Sequence, residues 1–175
     1  MIQFGVASTC LDQPYSIRYS VAWAIEHGFS GIEFNAPEMY LAGQSLIDIK
    51  WALDMSVEHN LRYTHHFPPS ALPSSHLAVT RAHDLEEFSK EVYVAGELGV
   101  EVIVVHPGRL HVPGVEWGEE TEDDRQMGIS YFVDWAKEAA EKAESAGVVI
   151  GFENMHYKEE QTLLEAIKSQ KNKDK

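Results

Sequence analysis

Apolar residues collect in short runs along this chain, and five of the runs stop at a polar or ionisable side chain. The segments Ile2 to Ser8, Gly31 to Phe34, Arg62 to His66, Glu101 to His106 and Val148 to Glu153 have strand length. Several are almost continuously apolar, as parallel strands covered on both faces must be. Between them the pattern changes to helical period over Ile17 to Glu26, Ser45 to Glu58, His76 to Leu98 and Asp123 to Ala146. In the third stretch Leu85, Phe88, Val92, Ala95 and Leu98 form one apolar stripe, and in the fourth Phe132, Trp135, Ala139, Ala143 and Ala146 do the same. Trp23, Trp51 and Trp135 read most simply as core residues under these helices.

The connections come in two kinds. HisGlyPhe at 27 to 29, HisAsnLeu at 59 to 61, LeuGlyVal at 98 to 100 and AlaGlyVal at 146 to 148 each place a residue that tolerates the left-handed region at a helix end, then an apolar one leading into a strand. The loops after the strands are longer and richer in Pro and polar residues, notably Phe67 to Pro73 and Pro107 to Glu120. Long loops at one end and tight turns at the other predict repeated βα units with the chemistry at the strands' C-terminal rim. The expected fold is α/β: a parallel sheet with outer helices, TIM-barrel-like but incomplete, with about five βα units of the eight a closed barrel has.

At 175 residues the chain reads as one domain over 1–169, followed by a polar tail at 170–175. A fifth helix is expected over Glu159 to Ser169. An open parallel sheet leaves two edges unpaired, so self-association into a homo-oligomer through the barrel edges is expected.

Composition narrows the function. Lys plus Arg number 14 against 28 Asp plus Glu, a net charge of -14, which argues against nucleic acid as a partner. Near the rim the only basic residues are Arg109 and Lys158. The lone Cys10 rules out an internal disulfide and fits a reducing, cytoplasmic setting. The N-terminus has no signal-peptide pattern, and no apolar run is long enough to span a membrane.

The candidate chemistry lies at the strand ends. A carboxylate such as Glu153, at the end of an apolar strand, needs a pairing partner, hydrogen bonds or a cation. Of His65 and His66 only one can face the interior. The turn at PheProPro favours His66, with His65 under a helix. Imidazole and carboxylate both bind zinc or manganese, so His66, His106 and Glu153 from three successive strands are candidate metal ligands. Glu33 reads as a general base, an outer partner or a salt-bridge residue. His111, Glu116 and Trp117 lie in the long fourth loop, where they could close over a ligand, and His156 could reach the rim. His27 and His59 suit helix C-termini, where a partial positive charge is favourable.

The segments GIEF at 31–34, YTHHFP at 63–68, ELGVEVIVVHPG at 97–108 and GVVIGFEN at 147–154 occur in an order that resembles the xylose-isomerase-like barrel superfamily. That group includes sugar phosphate isomerases and epimerases and the endonuclease IV type of apurinic-site nuclease. The resemblance implies a divalent-metal-dependent sugar or sugar phosphate isomerase or epimerase, with Glu153 and Glu33 as catalytic carboxylates. In the nuclease branch, the histidines ending strands three and four and the strand-five Glu are metal ligands, which map onto His66, His106 and Glu153. In the isomerase branch the strand-five Glu is a ligand and general base, and further ligands come from strands six to eight, which this sequence does not contain. Two alternatives follow: an apurinic-site phosphodiesterase, and a truncated, non-catalytic half-barrel that self-associates.

Overall fold

A computed structural model describes residues 3–12, 16–35, 40–116 and 118–153. The expected fifth helix, the polar tail, Trp117, His156 and Lys158 lie outside the described residues. The strands are β1 (Gly5–Ala7), β2 (Gly31–Asn35), β3 (Arg62–His66), β4 (Val100–Val105) and β5 (Val149–Phe152). The helices are α1 (Ile17–Glu26), α2 (Leu46–His59), α3 (Ala78–Leu98) and α4 (Glu122–Ala146). All strand pairs are parallel, and their order across the sheet is β1-β2-β3-β4-β5. Unbroken sequential order is barrel topology, whereas a doubly wound sheet reverses order at a switch point. The sheet does not close: β1 and β5 are its edges.

Local chemistry sets the element ends. Ser16, Ser45 and Thr121 cap α1, α2 and α4 by accepting the N–H groups of Tyr19, Asp48 and Asp124, and Asp124 completes a reciprocal box with Thr121. At the other ends Gly28, Asn60, Gly99 and Gly147 have positive φ, the conformation expected of the four short turns. Helix α3 begins two residues later than its periodicity predicts. His76 is drawn away from the helix, its N–H donating to His111 O and its Nε2 to Asp124 O.

Strand β1 is shorter than its sequence pattern. Pairing with β2 begins at Gly5 opposite Gly31, Phe4 remains exposed, and Ser8–Cys10 turns into a short 3-10 segment. Ser8 is buried there, its Oγ accepting the Asn35 N–H at 2.9 Å.

Alternation along the strands divides the sheet into two faces. Ile32, Phe34, Tyr63, His65, Ile103 and Val105 point to the helices and are buried. They pack with Phe88, Val92 and Leu98 of α3 and Phe132, Trp135 and Ala139 of α4. Burying each large apolar side chain contributes about 1.5–3 kcal/mol. Trp135 is a core residue and Trp51 packs partly against the core beneath Arg18. Trp23 departs from expectation: it is only partly buried and stacks on His27 and Phe29 at the helix end. The opposite face carries Glu33, Asn35, Thr64, His66, Val102 and Val104, by their register with one another. That face is open, with Val149 62 % exposed.

Candidate metal centre

β3 and β4 stand side by side with His66 opposite Val104, so His106 lies two residues further along than His66. Glu153 follows β5 directly, its N–H donating to Val105 O, which sets it level with His106. The stagger brings three side chains to one point. His66 Nε2, His106 Nε2 and Glu153 Oε2 are each 3.2 Å from the other two. The His66 and His106 rings are mostly buried, and the Glu153 side chain is 54 % exposed at the rim.

The tautomer of His66 follows from its other nitrogen. Nδ1 lies 3.1 Å from Phe67 O, and a carbonyl only accepts, so Nδ1 donates there and leaves Nε2 to face the cluster. Two imidazole nitrogens and a carboxylate oxygen thus converge. Partial burial pushes the Glu153 carboxyl up, but hydrogen bonds from His66 and His106 and their charge outweigh it, and the net direction is down from the usual glutamate range. Atoms sharing one tetrahedral zinc ion at about 2.0–2.1 Å stand about 3.3 Å apart. The observed triangle has that spacing, and its donors, nitrogen and anionic oxygen, suit zinc or manganese.

The two loops that carry this rim are fastened to each other. Ser75 Oγ meets His111 Nδ1 at 3.1 Å, Ser74 Oγ donates to Arg109 O, and both serines are buried. Gly108, in the turn after His106, has φ +76°, and a Cβ there would come within 2.6 Å of Ala71 O. The HisProGly sequence therefore lets the β4–α4 loop press against the β3–α3 loop. His111 is engaged in that seam, and Glu116 is exposed beyond it.

Glu33 is not in the three-residue cluster. It stands on the open face one layer below His66, level with Thr64, and accepts from Asn35 Nδ2 at 3.3 Å. It lines a cavity of about 470 Å³ with Gly31, Arg62, Thr64 and Glu101, which His66, His106 and Glu153 do not line. His65 points the other way, fully buried, with Nδ1 2.8 Å from Phe34 O and Nε2 3.0 Å from Glu91 Oε2. Sequence reasoning overlooked Glu91. Its signal was an acid inside the apolar stripe of α3, between Phe88 and Val92.

Comparison with known proteins bears on this geometry. The profile of a family described as xylose isomerase-like TIM barrel matches residues 21–171. An uncharacterized protein of Methanocaldococcus jannaschii is 28% identical over 155 residues, covering 88% of this chain and 50% of its own length. Among solved structures, a D-tagatose 3-epimerase-like protein is 28% identical with TM-score 0.70, over 90% of this chain and 55% of that one. A 3-keto-D-glucoside 4-epimerase from E. coli has TM-score 0.67 at 16% identity, over 89% of this chain and 57% of that one. Endonuclease IV from Thermus thermophilus has TM-score 0.60 at 16% identity, over 87% of this chain and 51% of that one. The last two show likeness of fold alone. The chain spans about half the length of these proteins. Among the described residues, no helix is long and apolar enough to cross a membrane.

Proposed function

We propose, from the premise that this chain belongs to the xylose isomerase-like TIM-barrel family, that it carries the metal-binding part of a sugar isomerase or epimerase. The observation behind this reading is the convergence of His66 Nε2, His106 Nε2 and Glu153 Oε2, three possible ligand atoms each 3.2 Å from the other two. His66, His106 and Glu153 would hold one zinc or manganese ion, leaving its remaining positions to water or substrate. A bound ion supplies Lewis-acid polarisation of a carbonyl and its adjacent hydroxyl.

The protein's own groups supply the rest. Glu153 is half exposed and kept ionised by its histidine neighbours, as a proton acceptor at a carbon next to a carbonyl must be. Glu33 is a second carboxylate on the same open face as His66 and is the candidate partner for returning a proton. The D-tagatose 3-epimerase-like neighbour favours a small sugar as substrate.

The open edges at β1 and β5 call for further strands, and we assign that role to a second copy of the chain. The domain reading, one partial barrel over 1–169, goes with it. A phosphodiester-cleaving reading uses the same three ligands, which come from the strands that supply them in the nuclease branch. The net charge of -14 disfavours it.

The test is metal content by mass spectrometry with light scattering, comparing the native chain with His106→Ala and Glu153→Ala. Stoichiometric zinc or manganese, absent from both variants, supports the centre and leads to ketose epimerisation assays. A folded, metal-free native chain would end this reading.

A further inference from the structure

Behind the metal triad, on the helix side of β3, lies a second imidazole and carboxylate pair. Glu91 of α3 is 1 % exposed, and its two oxygens are used separately. Oε2 accepts the Leu41 N–H at 2.8 Å and Oε1 the Ala42 N–H at 3.1 Å, both from the short turn Leu41–Gly43 that precedes α2. Oε2 also lies 3.0 Å from His65 Nε2, a close approach that is not an aligned hydrogen bond. On its far side the same ring meets Phe34 O of β2 at 2.8 Å. One buried carboxylate therefore connects α3, β3 and the turn before α2, and through His65 it reaches β2.

We infer that Glu91 is a positioning residue for His66: by holding His65 against α3 it fixes which way β3 faces and so aims the neighbouring imidazole at His106 and Glu153. The inference rests on the metal-site reading and deepens it. Its physical basis is the period of two in a strand, which ties the direction of residue 66 to that of residue 65. His65 is the side chain at this point whose polar atoms reach two other elements, and Phe34 O and Glu91 hold it from opposite sides. If the contact to Glu91 is lost, the ring keeps only the Phe34 bond, about which it can rotate. The end of β3 at His66 then loses its outer anchor.

The test compares Glu91→Gln with His65→Asn, in the whole chain. Asparagine can still donate to Phe34 O but cannot reach Glu91, so it isolates the one contact. Three readouts are taken: circular dichroism for the fold, side-chain nitrogen shifts of His66 by NMR without metal, and zinc affinity by calorimetry. In the native chain the His66 shifts should show the proton held on Nδ1. Both variants should move them away from that pattern and weaken zinc by about tenfold. In Glu91→Gln alone, the Leu41 and Ala42 amides should also exchange with solvent faster.

Unchanged His66 shifts in a folded variant would overturn the inference, even if the variant is less stable or its amides exchange faster, since that outcome marks a purely structural clamp. If Glu91→Gln does not fold, His65→Asn decides. If the native chain binds no zinc, the metal reading fails, while the His66 shifts still decide whether Glu91 positions the ring.

Discussion

Two adjacent histidines on β3 have opposite environments, although each meets a glutamate. His65 is fully buried, with Nδ1 on Phe34 O, and the neighbouring Glu91 accepts two backbone N–H groups. His66 meets His106 and Glu153 at a rim where the carboxylate is 54 % exposed. The first pair is closed and belongs to the fold. The second brings three possible ligand atoms together where solvent has access, as a cation site requires. Residue type does not distinguish them, but the number of protein donors around each does.

The contrast is broken or sharpened by four expected outcomes. The largest concerns the rim. His106→Ala or Glu153→Ala should weaken zinc by more than about 100-fold, beyond the cost of losing an outer partner. The metal-free stability should change by under about 1 kcal/mol in Glu153→Ala, since a half-exposed ion pair contributes little. Calorimetric titration and urea unfolding measure the two effects. A large stability loss with zinc affinity intact would reverse the assignment.

Glu91→Ala should behave in the opposite way. Removing one partner of a buried pair and leaving two backbone donors unsatisfied should cost about 3 kcal/mol in urea unfolding. A loss below about 1 kcal/mol would show that water or a shifted side chain replaces the clamp.

Gly108→Ala tests the seam between the loops. The positive φ and the 2.6 Å approach to Ala71 O predict a loss of about 1–2 kcal/mol, read as a lower thermal midpoint. An unchanged midpoint would mean that the loops part at little cost.

Asp84 is intermediate between the two glutamates, half buried with its Oδ2 accepting only the Leu72 N–H at 2.7 Å. Burial pushes its carboxyl up, against the pull of that N–H and of the His83 charge, while Glu87 adds to the rise. An acid whose folded value is raised gives stability that is present below the ordinary aspartate range and is lost as pH rises through the folded value. Asp84→Asn keeps an acceptor for Leu72 and should remove that loss. The variant should therefore gain up to about 1 kcal/mol at neutral pH, after solvent screening, with the gain vanishing below about pH 4. Unfolding curves from pH 4 to 8 show the slope, and parallel curves would contradict it.

Much of the fold was legible because its signals are local. Helix α1 spans the range its periodicity indicates, and the caps and positive-φ turns fall where Ser, Thr, Asn and Gly stand. The strand-end positions of His66, His106 and Glu153 were also visible, since βα repetition sends every strand end to one rim. Glu91 was not, because a lone acid in an apolar stripe shows no partner until α3 lies on β3. Trp23 was misread for a similar reason: its ring found His27 and Phe29 at the end of the helix before it could reach the core.

The sequence by itself determined the alternation of strand and helix, the asymmetry of the loops and the residues that end each strand, since these depend on neighbours a few positions apart. The tertiary structure alone decided that β4 is staggered against β3 by the amount that brings three donor atoms within 3.2 Å, and that Glu91 stands behind His65. Those relations join residues up to 87 positions apart in the chain. They are fixed by strand register and by helix packing on the sheet, and no short stretch of sequence encodes them.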